Sequence, residues 1–161
     1  LVAAQFRRAD LTASLRGILA ATEFPPSLLQ LQLAEGATME QPEASIECLH
    51  ELRELGVELA LVDFGGGVSS LPWLGRFPLG QLQLAPSFTR EVARDPRSAD
   101  LVGGIVALAR NLGLRVIADR VESAEQAAAL QGLGCGEAQG RLFQPPLPVV
   151  EMEALLRAEV G

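Results

Sequence analysis

Strand-like segments recur along this chain, and a helix-like stretch separates nearly every one from the next. Leu28–Leu33 alternates leucine with glutamine, Val57–Val62 is an apolar run of strand length, and Gln81–Ala85 alternates again. Leu114–Asp119 and a short Gly136–Leu142 complete the set. Helical patterns fill the gaps. Asp10 sits where it would cap a helix to about Thr22, which Phe24-Pro25-Pro26 breaks. Pro42 to about Leu55 carries Ile46, Leu49, Leu52 and Leu55 on one stripe, and Gly56 is placed to end it. A short helix is expected near Ser70–Leu74 and a long one from about Ala99 to Leu112. Ser123-Ala124-Glu125-Gln126 has the form of a capping box opening a helix to about Leu133. Pro148 suits the first turn of a closing helix through about Glu159. Such alternation implies a parallel sheet with helices outside it. Five strands fit either an open doubly wound sheet or most of a barrel, and spacing does not choose between them. No low-complexity linker interrupts the pattern, so residues 1–161 read as one domain.

Composition narrows the function classes. The net charge is −7, and all 13 basic residues are arginines, scattered except for Arg7-Arg8. Nucleic-acid binding needs a basic face, and this chain has none in its sequence. No apolar run approaches the roughly 20 residues that span a bilayer, so no membrane segment is expected. Cys48 and Cys135 stand apart, without a CxxC or a Cys/His cluster; two free thiols fit a reducing cytoplasm. His50 is the one histidine, which excludes a His-rich metal site. The chain begins at Leu1, as a piece of a longer protein would.

The pentapeptide QLQLA occurs twice, at Gln30–Ala34 and Gln81–Ala85. Polar groups also gather where the strands end: Glu35, Asp63, Asp119 and Gln139. In either architecture the C-terminal ends of the strands form the ligand face. Gly65-Gly66-Gly67 is too weak a signal for a phosphate loop, because no Lys-Ser/Thr and long helix follow it.

The stretches LVDFGGGVSSLPWL, VIADRVES and GCGEAQGRLFQPPLP resemble, in order and spacing, motifs of the EAL domain family. The family patterns are DDFGTGYSSL, a KID strand, AEGVE and QGYLFS-PLP, and LVAAQF is similar to the tail of its VNLSARQF strand. The family comprises bacterial phosphodiesterases for cyclic di-GMP built on a TIM-like (β/α)₈ barrel. The resemblance implies an α/β fold: an incomplete barrel of five to six strands, the C-terminal two-thirds of a domain of about 250 residues. It also implies a two-metal mechanism with Mg²⁺ or Mn²⁺ held by carboxylates and an asparagine.

Carried over position by position, the resemblance finds several replacements. Gln32 stands where the family has a metal-binding glutamate, and Val62 where it has the first aspartate of DDFG. Gln83 replaces the lysine of KID, and Ala85 its aspartate. Asp119 replaces the glutamate proposed as general base, and Arg120 the glycine after it. Glu35, Asp63, Glu122 and Gln139 match without change. Glu35 corresponds to a glutamate that braces the loop after the next strand. Asp63 reads either as a ligand contact or as a loop-ordering aspartate. Asp119 and Glu122 suggest a hydrogen-bonded or solvated pair, and Arg120 a cation that neutralises Asp119 or Asp63. Arg141, in place of the tyrosine of QGY, reads either the same way or as a solvent-facing residue. Trp73 reads as packing.

The expectation is therefore a module without catalytic residues, metal or cofactor. Its vestigial pocket comprises Gln32, Glu35, Asp63, Gln83, Asp119, Arg120, Glu122 and Gln139. The candidate partners are cyclic di-GMP bound without metal, a protein partner, an accompanying GGDEF or sensor domain, and a second copy of the chain. Residual phosphodiesterase activity and a dimerisation element using Leu71, Trp73 and Leu74 are the alternatives. Neither nucleic acid nor membrane is an expected partner of this segment.

Overall fold

The computed structural model describes residues 10–36, 42–66 and 71–159. LVAAQF, Arg7-Arg8, Gly67 and Ser70 lie outside them. Helix α1, Leu11–Thr22, and a 3₁₀ turn, Pro26–Leu28, precede strand β1, Gln30–Ala34. Helix α2, Pro42–Glu54, leads to β2, Glu58–Phe64, and α3, Leu71–Leu74, to β3, Gln81–Leu84. Helices α4, Pro86–Glu91, and α5, Pro96–Asn111, precede β4, Arg115–Ala118. Helix α6, Ala124–Gly132, β5, Glu137–Ala138, and α7, Val149–Glu159, close the chain.

The five strands form one sheet in the order β1-β2-β3-β4-β5, and every neighbouring pair is parallel. This order decides what spacing left open. A doubly wound sheet reverses its strand order at a switch point. Here each crossover moves one strand in the same direction, as in a singly wound barrel. Five strands make an arc of it, the incomplete α/β barrel expected above.

The two faces of the arc differ in character. On one, Leu33, Leu59, Leu61, Leu82, Leu84 and Ala118 are fully buried, together with Leu49 and Leu52 of α2 and Val102 and Ala109 of α5. Each such leucine contributes roughly 2 kcal/mol by leaving water. The opposite face, by alternation, carries Gln30, Gln32, Glu58, Ala60, Val62, Gln81, Gln83, Arg115 and Ile117.

The first residue of every strand joins one polar belt. Gln30 Nε2 donates to Glu58 Oε2 at 3.1 Å and to Gln81 Oε1 at 2.9 Å. Arg115 donates to Glu58 through one guanidinium nitrogen and to Glu137 through another, the latter at 3.0 Å. The opening glutamines of the two QLQLA copies thus bond each other across β2.

Local signals account for the element boundaries. Gly56 takes φ +90° and ends α2. The Ser123 box is complete: Ser123 Oγ accepts from Gln126 N at 3.3 Å, and Gln126 Oε1 accepts from Ser123 N at 3.1 Å. Asp10 occupies the cap position of α1, yet its carboxylate accepts from the Ser14 hydroxyl and makes no capping bond to a backbone amide. Helix α5 starts three residues before the expected Ala99, because Asp95 accepts from Arg97 N and Ser98 N and Pro96 fits the first turn. Helix α4 escaped the sequence reading, although Pro86 directly after a strand marks it.

Burial pushes the Cys48 and Cys135 thiols up in pKa, consistent with inert packing residues. His50 is exposed on α2. Trp73 is half-buried, with its ring 6.3 Å from that of Phe77 and the Arg76 guanidinium 4.6 Å over it. No helix among the described residues is long and apolar enough to cross a membrane.

Candidate functional site

The sequence-predicted residues fall into two groups along the C-terminal edge of the sheet. The first belongs to β1–β3. Gln32 is exposed within β1, and Glu35, just beyond the strand, is buried at 4% exposure. Its Oε2 accepts from Gly65 N at 3.2 Å, so this carboxylate ties the end of β1 to the glycine loop after β2. Gly65 takes φ +81°, and a Cβ there would lie 2.4 Å from the Phe88 ring; only glycine presents its amide at this spot. Glu35→Gln is expected to cost about 1 kcal/mol through the weaker amide acceptor, read as a shift in urea midpoint. An unchanged midpoint would show that the loop does not depend on the charge.

Asp63 lies where the β2–β3 register shifts, at φ +58°. Its backbone carbonyl accepts from Gly66 N at 3.0 Å, while its carboxylate is exposed and unbonded among the described residues. The loop is ordered by the Asp63 carbonyl, and not by its side chain. Val62 is half-buried opposite Ala34, and Gln83 is buried opposite Ile117.

The second group surrounds the ends of β4 and β5. Asp119 Oδ1 accepts from Arg120 N at 2.8 Å and from Gln139 Nε2 at 2.9 Å. Asp119 and Glu122 make no hydrogen bond to each other among the described residues, which leaves the solvated alternative; Glu122 N donates to Gln126 Oε1 at 2.8 Å, extending the capping box. Arg120 is exposed at φ +55°. A left-handed arginine costs about 1 kcal/mol relative to glycine, which explains glycine as the residue of the resembling motif. No ion pair within 4.0 Å joins Arg120 to Asp119 or Asp63 among the described residues, so the expected neutralisation does not form.

Three backbone hydrogen bonds lock the two segments together. Gln139 N donates to Ala118 O, Val121 N to Gln139 O, and Leu142 N to Val121 O, at 2.9 to 3.1 Å. Over them lies an open cleft of about 540 Å³, within the usual range for small-molecule sites. Asp119, Arg120, Glu122 and Gln139 line it with Arg141 and Met152. Gln32, Glu35, Asp63 and Gln83 are not part of its wall. Met152 and Gln144 join the wall without having been singled out in the sequence; the QPP run after QGRLF was the available signal.

A sequence profile of the EAL domain matches residues 1–146. The chain belongs to the EAL domain family. It is 38% identical over 156 residues to the cyclic di-GMP phosphodiesterase NbdA of Pseudomonas aeruginosa, covering 97% of this chain and 20% of NbdA. The phosphodiesterase of MucR from the same organism, solved as a cyclic di-GMP complex, matches at 38% identity and TM-score 0.88, over 94% of this chain and 62% of that one. BlrP1 of Klebsiella pneumoniae, solved as a manganese/cyclic di-GMP complex, matches at 26% identity and TM-score 0.78, over 84% of this chain and 35% of BlrP1. The chain spans about a fifth of the length of NbdA and MucR.

These relatives overturn two expectations. The replacements at Gln32 and Val62 argued for a chain that is no enzyme and takes no cofactor. NbdA is a cyclic di-GMP phosphodiesterase at 38% identity, and BlrP1 is solved with manganese. The inference failed because hard cations draw six or more oxygen ligands from many positions, so two replaced groups do not decide the outcome. Taken alone, however, the described residues of this EAL domain do not fit a divalent cation. No three His, Cys, Asp or Glu side chains converge among them, and Val62 has no side-chain oxygen.

Proposed function

We propose that residues 1–161 form part of a single EAL domain that binds cyclic di-GMP in signalling. In this reading the ends of β4 and β5 supply one side of the nucleotide site. The observation that carries it is the cleft at those strand ends, in a chain 38% identical to a phosphodiesterase solved with cyclic di-GMP.

The cleft suits a charged purine nucleotide. Gln139 and Asp119 hold each other, which fixes the amide and leaves Asp119 Oδ2 to accept from a ligand N–H, a hydroxyl or water. Met152 and the two prolines Pro145 and Pro146 offer apolar surface to a base. Glu122 adds a second carboxylate acceptor. Hydrolysis of the phosphodiester is a second reading, favoured by the identity with NbdA. An accompanying GGDEF or sensor domain, a protein partner, a homodimer and a cytoplasmic setting belong to the same proposal.

The test is isothermal titration of cyclic di-GMP into protein carrying this chain, with and without Mn²⁺, followed by chromatography of the nucleotide. Binding at micromolar concentration or tighter is expected, and a linear product in the Mn²⁺ sample would establish hydrolysis. No heat in either condition, on protein with a cooperative melting transition, would remove cyclic di-GMP from the account.

A further inference from the structure

Arg120 and Arg141 are held as neighbours by the chain itself. Arg120 precedes Val121 and Arg141 follows Gly140, and the two segments are joined by the Val121–Gln139 and Leu142–Val121 backbone bonds. Both arginines are exposed, and both line the same cleft. Neither guanidinium forms an ion pair or hydrogen bond among the described residues, although Asp119 and Glu122 line the same wall. Asp119 already accepts from a backbone amide and from Gln139 through Oδ1. Two exposed, unpaired guanidiniums therefore share one wall with the carboxylates of Asp119 and Glu122 and are open to an anionic group of a ligand.

Arg120 also occupies the left-handed backbone region, which an arginine adopts at a conformational cost that glycine escapes. A side chain kept there against a conformational cost suggests a use for its charge. Guanidinium groups match the oxygens of a phosphate, with forked donors and a charge that persists at all relevant pH values.

We infer that Arg120 and Arg141 form a phosphate subsite at the β4–β5 end of the cleft, one that takes a phosphate group of a guanine nucleotide. The inference rests on the cyclic di-GMP reading and adds to it. Two sources share this chemistry: the phosphodiester of the cyclic dinucleotide, and the terminal 5′-phosphate of a linear diguanylate. The terminal group carries more charge, so the linear ligand is expected to depend on the pair more strongly.

The experiment titrates both nucleotides into wild-type protein, Arg120→Gly, Arg120→Lys and Arg141→Gln, at low and high salt. Arg120→Gly relieves the left-handed strain, so its melting temperature is expected to hold or rise, and lost affinity would not reflect unfolding. Each neutral variant is expected to bind roughly tenfold more weakly and to show a flatter salt dependence. Arg120→Lys is expected to keep part of both. Arg141→Gln tests the subsite independently should Arg120→Gly fold poorly. A loss confined to the linear nucleotide would assign the pair to a terminal phosphate; a loss for both would assign it to the phosphodiester as well. Wild-type binding with the neutral variants within twofold of it would overturn the subsite and leave the cyclic di-GMP reading intact. No binding of either nucleotide to folded wild-type protein would overturn both.

Discussion

Gly140→Ala is expected to lower the melting temperature by about 10 °C, the largest effect of any single methyl group added at the site. Gly140 takes φ +154°, and a Cβ built there would lie 2.2 Å from Val121 O and 2.4 Å from Val121 N. These are backbone atoms, so no side-chain rotation relieves the clash. Val121 N and O are also the groups that bond Gln139 O and Leu142 N. Making room therefore breaks the pairing that holds Asp119 against Gln139. Overpacking of this kind with lost backbone bonds costs about 3 kcal/mol, and a chain of this size loses about 2–4 °C per kcal/mol. Gly132→Ala is the control: nothing lies within 4 Å of its Cβ position, and because Gly132 belongs to α6 the transition is expected to hold or rise slightly. The measurement is thermal unfolding by circular dichroism. A Gly140→Ala transition within about 2 °C of wild type would show that the two strand-end segments are not locked as described.

The fold was legible in the sequence wherever periodicity and end signals coincided. The expected strands Leu28–Leu33, Val57–Val62 and Gln81–Ala85 and the Ser123 box each mark an element close to its observed bounds, Gln30–Ala34, Glu58–Phe64, Gln81–Leu84 and Ala124–Gly132. Pairing order was not legible, since consecutive and reversed orders use the same strand and helix lengths. The last strand came out far shorter than Gly136–Leu142. Only Glu137 and Ala138 pair in register, after which Gly140 turns the chain and Phe143 N bonds back to Gly140 O. Glycine in that stretch was the clue against a long strand.

The site was legible in part, and the reason lies in where charge sits along a strand. Attention to C-terminal ends found Asp119 and Gln139, the family resemblance added Arg120 and Glu122, and the fold lines one cleft with all four. The resemblance also reads Gln32 and Gln83, one in each QLQLA copy, as replacements of charged residues. The copies have another physical content: Gln30 and Gln81, at the opposite ends of the strands, satisfy each other. Neutral amides both donate and accept, so a repeated glutamine is as well explained by mutual bonding inside a sheet as by a vanished ligand. That ambiguity, together with the relatives' activity and manganese, is why counting missing carboxylates misled the functional reading.

Arg115→Met is expected to destabilise the protein by about 1–2 kcal/mol near pH 7, with the penalty fading in acid. Arg115 is the one cation of the polar belt, donating to Glu58 of β2 and Glu137 of β5 from its place on β4. Methionine keeps similar bulk but takes away the guanidinium that Glu58 and Glu137 share. Both partners are partly exposed, so solvent screening keeps the cost below that of a buried pair. The hydrogen bond from Arg115 holds the Glu58 carboxyl below its ordinary value of 4.5, helped by the one from Gln30. A carboxyl depressed on folding adds stability above its unfolded pKa and loses it as pH falls through the folded one. Wild-type stability should therefore decline below about pH 4.5, whereas Arg115→Met, lacking the pair, should decline less. The two urea-unfolding curves should converge as Glu58 protonates. A gap that stays constant from neutral to acid pH would mean that Arg115 acts through its packing, and the belt would then owe its strength to Gln30 and Gln81.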